Sequence, residues 1–78
     1  MDRVPVASEA LSSVGYEPAG AVLEVQFTGG GLYRYYGVPA EVYRGLMEAD
    51  SRGHYFTERI RDRYRYRRLA SDQRRSSV

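Results

Sequence analysis

The chain has 78 residues and a formal net charge of +2, with 12 arginines, no lysine, no cysteine and one histidine. A chain this short forms at most one domain and buries only about 60% of its unfolded surface. Its composition rules out disulfides, thiolate metal sites and zinc sites built from several His and Cys, while a hydrophobic share of 42% fits a folded domain rather than a disordered one.

Residues 1–7 read as a flexible lead-in. They lack the basic and then apolar layout of a signal peptide. No apolar run anywhere approaches the roughly 20 residues that span a bilayer, so a cytoplasmic protein with no membrane role is expected. Residues 8–16 follow as a first strand: small polar residues and the Gly15-Tyr16 pair favour a strand, although Leu11 and Val14 also fit a helical turn. A turn over residues 17–20, carrying Pro18 and Gly20, leads into the central stretch. There Leu23, Val25 and Phe27 alternate with Glu24 and Gln26, the period-two pattern of a strand with one buried face. Gly29, Gly30 and Gly31 separate this run from Leu32, Tyr33, Arg34, Tyr35 and Tyr36, and the two runs make an antiparallel hairpin. If Leu23, Val25 and Phe27 face inward, pairing brings Tyr33 and Tyr35 beside them at the core or its rim, with Arg34 on the opposite face.

Pro39 suits the first turn of a helix over residues 39–49. Val42, Tyr43, Leu46, Met47 and Ala49 form its apolar stripe, and Gly45 within it would allow close approach to a strand. Residues 50–53 read as a turn, and residues 54–60 as a short second helix with Phe56 and Ile60 inward. From there arginine occupies positions 59, 61, 63, 65 and 67, every second residue. On a helix these side chains would spread around the circumference. On a strand Arg63, Arg65 and Arg67 share one face, and Tyr64 and Tyr66 the other. Residues 63–69 are therefore read as a C-terminal edge strand, and residues 70–78 as a disordered tail. The fold class is α+β: a small antiparallel sheet, one main helix, a short second helix and an edge strand, with a single domain over residues 8–69.

An ordered set of short motifs runs through this domain: Ser8-x-x-Leu11-x-x-Val14-Gly15-Tyr16, Leu23-Glu24-Val25-x-Phe27, Tyr33-Arg34-Tyr35, Val38-Pro39-x-x-Val42-Tyr43, Ala49-x-Ser51-x-Gly53-x-Tyr55-Phe56 and Ile60-Arg61-x-x-Tyr64. In order and spacing it resembles the KTSC domain, a small domain found at the C-terminus of some lysyl-tRNA synthetases and as free-standing bacterial proteins. Tyr33 and Tyr35 match the Tyr-x-Tyr hallmark of that family and are read as scaffold. Thr57 stands where the family pattern often has Asn, and Glu9 where a second Ser is common. The resemblance implies no established function and supplies no catalytic residues; RNA binding is suggested only through the association with the synthetase.

The residues themselves offer little catalytic chemistry. Ser12, Ser13 and Ser51 have no base at a motif spacing, and the glycine triplet precedes a strand rather than a helix, which makes it a hairpin loop and not a phosphate cradle. No enzyme activity, cofactor or metal is expected. Charge is unevenly spread: residues 1–50 carry three arginines against seven acids, and residues 51–78 carry nine arginines against three. A basic end on an acidic body points to an anionic partner, or to ion pairs between the two halves through Glu24, Glu41, Glu48 or Glu58. The candidate nucleic-acid-binding residues are Arg59, Arg61, Arg63, Arg65, Arg67 and Arg68, with Tyr64, Tyr66 and Arg34. The expected function is a non-catalytic module for RNA or another polyanion. The alternative is a protein-interaction or self-associating module.

Overall fold

A computed structural model describes residues 3–6 and 8–70, which form β1 (Arg3–Pro5), β2 (Leu11–Glu17), β3 (Val22–Phe27), β4 (Leu32–Tyr36), α1 (Ala40–Glu48), α2 (Arg52–Arg59) and β5 (Arg65–Ala70). The strands make one antiparallel sheet in the order β1-β2-β3-β4-β5, so that β1 and β5 are its edges. The fold is α+β, as the alternation in the sequence requires. Among the described residues no helix is long and apolar enough to cross a membrane.

Alternation decides which face is covered. Leu23 stands opposite Tyr35 and Val25 opposite Tyr33, while Val14 of β2 meets Val25 from the other side. These side chains point to one face, and Leu11, Val14, Leu23 and Val25 are fully buried. Both helices cover that face: α1 supplies Leu46, α2 supplies Phe56, and Val38 and Ile60 come from the flanking connections. Each such side chain contributes about 1.5–3 kcal/mol by leaving water. Rings extend the core: Tyr16 stacks on Tyr43 with centroids 4.8 Å apart, and its hydroxyl donates to the Val38 carbonyl at 2.6 Å.

The turns are tight. Between β3 and β4 the Phe27 carbonyl accepts from the Gly30 N–H at 2.9 Å, and the Phe27 N–H donates to the Gly31 carbonyl at 2.8 Å. Gly30 takes φ +106 to close this loop. Between β2 and β3 the left-handed position falls on a residue with a side chain, Ala21, at φ +55. The Ala21 carbonyl accepts from the Val38 N–H at 2.8 Å, which ties this turn to the exit of β4.

Pro39 occupies the cap of α1 rather than its first turn, its carbonyl accepting from the Val42 and Tyr43 N–H groups. Gly45 admits a close neighbour, but that neighbour is α2 and not a strand: a Cβ at this position would lie 2.7 Å from Cζ of Tyr55. Arg52 of α2 caps the end of α1 by donating from Nη2 to the Met47 carbonyl at 2.7 Å. α2 starts two residues before the expected position, because Ser51 Oγ accepts from the His54 N–H at 3.3 Å and begins the helix there.

Three further boundaries differ from the sequence reading. The first strand, expected over residues 8–16, runs from Leu11 to Glu17, and before it the Ala10 and Leu11 N–H groups donate to Ser8 Oγ. The lead-in expected over residues 1–7 is an edge strand over Arg3–Pro5, with Arg3 opposite Gly15 and Pro5 opposite Ser13. Proline is tolerated at such an edge, where its missing N–H interrupts no inner ladder. The C-terminal strand starts at Arg65, not at residue 63. Residues 60–64 are still leaving α2, with the Arg61 N–H donating to the Phe56 carbonyl and the Arg63 N–H to the Ile60 carbonyl. Ala70 closes β5, and the rest of the tail expected over residues 70–78 lies outside the described residues.

Candidate functional site

The register of β5 on β4 divides the arginine ladder between two faces. Tyr66 stands opposite Tyr35 and Arg68 opposite Tyr33, on the helix-covered side. Arg67 stands opposite Arg34 and Arg65 opposite Tyr36, on the open side. Neighbouring residues of one strand thus enter two different environments.

On the open side the dominant feature is a carboxylate. Glu24, in the middle strand, is only 4% exposed although no helix covers it. Arg3 from β1 and Arg34 from β4 close over it from both sides, Arg34 at 2.9 Å and Arg3 in direct ion pairing. Arg3 Nε also donates to Ser13 Oγ at 3.0 Å. Burial alone would raise the pKa of Glu24, but the hydrogen bonds and charges of Arg34 and Arg3 outweigh it and hold the carboxyl below the ordinary glutamate value. This clamp joins three strands and fastens the short edge strand β1 to the sheet. It also absorbs Arg34, whose Nη2 is committed to Glu24, and Arg65 and Arg67 stand beside this group. Among the described residues neither Arg65 nor Arg67 forms an ion pair, so the expected pairing of the ladder with Glu24, Glu41, Glu48 or Glu58 is not found there.

On the helix-covered side the core opens into a cleft of about 650 Å³. Its walls come from the start of α2, the β3–β4 loop, β4, β5 and the connection between α2 and β5. Five rings line it. Tyr66 lies 5.7 Å from Tyr33 and 5.5 Å from Tyr35, while Phe27 and Phe56 close the back, Phe56 edge-on to Tyr35 at 5.3 Å. The rings range from buried to open: Tyr35 is 4% exposed, Tyr33 half-buried and Tyr66 58% exposed. Arg68 places its guanidinium 5.9 Å from the centroid of the Tyr33 ring. Arg61 and Asp62 stand at the mouth. Burial, reinforced by Tyr33, Tyr66 and Asp62 against the opposing charge of Arg61, pushes the Tyr35 hydroxyl up to about 12, so it remains a neutral donor at any physiological pH. The cleft can therefore offer ring faces, a fixed hydroxyl donor and two guanidinium groups to one ligand.

The other candidates are dispersed. Arg59, on α2, lies 5.6 Å from the centroid of the Tyr55 ring. Arg63 turns back and donates from Nε to the Glu58 carbonyl at 3.2 Å. Tyr64 precedes β5 and packs partly against the core, so it does not share a strand face with Tyr66. Of the nine candidates, Arg61, Tyr66 and Arg68 meet at the cleft, and Arg34, Arg65 and Arg67 meet on the open face. Tyr33 and Tyr35, read as scaffold, are both scaffold and cleft floor. Sequence reasoning did not reach Phe27, Phe56 or Asp62 as cleft residues. The apolar pattern marks the two phenylalanines only as core, and Asp62 is one acid in an arginine-rich run. Thr57 donates from its hydroxyl to the Gly53 carbonyl at 2.9 Å within α2. Among the described residues no three metal-ligating side chains come together.

Comparison with known proteins fits this architecture. The sequence model of the KTSC domain matches residues 7–64. The chain belongs to the KTSC family. A KTSC domain protein from Yersinia pestis has the same fold, with a TM-score of 0.86 and 36% identity, covering 88% of this chain and 97% of that one. An uncharacterized protein of Stutzerimonas stutzeri is 47% identical over 70 residues, spanning 88% of this chain and 99% of its own length. A lysine–tRNA ligase of a Nostoc species is 36% identical over 60 residues, which take in 77% of this chain and 11% of the ligase. The resemblance read from the Tyr-x-Tyr stretch and its neighbours thus holds, and these matches indicate no catalytic family. The segment matching the KTSC domain includes Tyr33, Tyr35, Phe56, Arg61 and Asp62, and ends just before β5.

Proposed function

We propose that this KTSC-domain protein is a non-catalytic module that binds single-stranded RNA in the aromatic cleft. The observation that carries the reading is the exposed Tyr66 ring set against Tyr33 and Tyr35, with Arg61 and Arg68 at its borders. A stacked base contributes about 1–3 kcal/mol, and a cleft of this volume falls in the range that accepts a ligand of nucleotide size. The guanidinium groups hold the strand, Arg68 through a phosphate. RNA is preferred because a relative that carries this domain is, by its name, a lysine–tRNA ligase. On this reading the protein works in the cytoplasm. The test is fluorescence anisotropy of a labelled single-stranded RNA decamer. Binding should appear at low salt and weaken with added salt with a logarithmic slope near −0.7, about the value for one neutralised phosphate of a single strand. No binding at low salt overturns the reading.

A second reading rests on the outer edge of β5, which pairs with no further strand among the described residues and where Tyr66 and Leu69 are exposed. Two copies could pair along it, adding one strand to the other's sheet. Arg65, Arg67 and Arg68 oppose this, since pairing would bring like charges together. Light scattering across concentration tests it: a dimer supports self-pairing and a strict monomer removes it.

A further inference from the structure

A carboxylate is an unexpected lining for a cleft that holds an anion. Asp62 is the one acid among the described residues that line it. It stands between Arg61 and Arg63 in the chain, yet among the described residues it forms no ion pair. Its charge reaches the floor of the cleft: Asp62 and Arg61 act in opposite senses on the hydroxyl of Tyr35. A carboxylate and a guanidinium from neighbouring residues of the chain thus both line the cleft, together with its rings.

An ionised carboxylate only accepts hydrogen bonds, two abreast, and a guanidinium only donates, also two abreast. Guanine is the one RNA base that answers both. Its Watson–Crick edge presents two adjacent N–H donors, N1–H and N2–H, and its O6 and N7 form an adjacent acceptor pair that suits arginine. Adenine and cytosine each place a ring-nitrogen acceptor beside their amino donor, so a carboxylate meets a lone pair. Uracil has a single N–H flanked by carbonyls. We propose that the cleft selects guanine: the base stacks on Tyr66, Asp62 accepts from N1–H and N2–H, Arg61 donates to O6 and N7, and Arg68 holds a phosphate. This rests on the reading of the cleft as a site for single-stranded RNA and assigns that site its base.

The test uses four labelled uridine hexamers whose third position is G, A, C or U, titrated into the whole chain at one low salt concentration. The guanine hexamer binds about ten-fold tighter than the other three, the discrimination expected of a good bidentate pair. Inosine at the same position, which lacks the N2 amino group, falls between guanine and adenine. Asp62→Asn brings the guanine-to-adenine ratio to within about three-fold, because the amide turns an acceptor into a donor. Equal binding of the four hexamers by the wild type overturns the guanine assignment while the cleft reading stands. Binding of none of them overturns both. A ten-fold preference that survives in Asp62→Asn removes Asp62 from the assignment and overturns it.

Discussion

The two sides of the β4–β5 pair use the same residue types for different purposes. On the open side Arg34 and Arg3 surround Glu24, and the arginines are part of the architecture. On the covered side Arg68 lies against a tyrosine ring, Arg61 stands at the cleft mouth, and among the described residues neither meets a carboxylate in an ion pair. Counting arginines in a sequence does not separate these cases. What separates them is whether a partner strand brings a carboxylate or a ring to the same face. An arginine over a ring keeps its donors for a ligand, whereas one held by a buried carboxylate has part of its donor set and its charge committed to it.

This contrast predicts that the open side governs stability and the covered side governs binding. The largest effect is expected at Glu24. Glu24→Ala leaves Arg3 and Arg34 facing each other with Arg67 opposite Arg34, and should destabilise the domain by about 2–3 kcal/mol, less than a fully buried pair because both arginines are partly exposed. For a domain of this size that lowers Tm by roughly 10–20 °C in a thermal melt. The same group gives an acid dependence. Its carboxyl is more acidic folded than unfolded, so its stabilisation is complete above the ordinary value of 4.5 and is lost as the pH falls through the lower folded value. Urea unfolding followed from about pH 5 downward should show a steeper loss for the wild type than for Glu24→Gln.

On the covered side, Tyr66→Ala should cost little stability, since the ring is 58% exposed, but should weaken RNA binding by about ten-fold through the lost stack. A large fall in Tm with no change in affinity would erase the distinction between the two sides. The smallest effect lies away from both. Ala21 holds a left-handed conformation, so Ala21→Gly should stabilise by about 0.5–1 kcal/mol, the relief of strain exceeding the added freedom of the unfolded glycine. Its affinity should equal that of the wild type, which makes it the control for stability changes that leave the cleft alone.

The sequence made the sheet legible where alternation is strict. Leu23, Val25 and Phe27 announced the inner face, and Tyr33 and Tyr35 followed from the hairpin. The stripe at Leu46 and the Phe56 and Ile60 pair placed both helices. The site was harder to read, because it depends on a long-range choice that no local pattern encodes: β5 pairs with β4. Only that register brings Tyr66 onto Tyr35 and sends Arg67 to Arg34. β1 was missed for a similar reason. Three residues ending in proline carry no strand signal, and what holds them is their pairing with β2 together with Arg3 reaching across β2 to Glu24.

The central claim is that the cleft, and not the open-face arginines, binds RNA. Two double variants compare them directly, Arg61→Glu with Arg68→Glu, and Arg65→Glu with Arg67→Glu, each matched to the wild type for Tm and titrated with one single-stranded RNA at physiological ionic strength. All four side chains are exposed, and each double variant changes the net charge equally. The first pair should lose binding by more than about ten-fold and the second by less than about three-fold, since only the first removes the phosphate contact and the arginine contact to the stacked base. Equal losses in the two variants, or a larger loss in the second, would contradict the account.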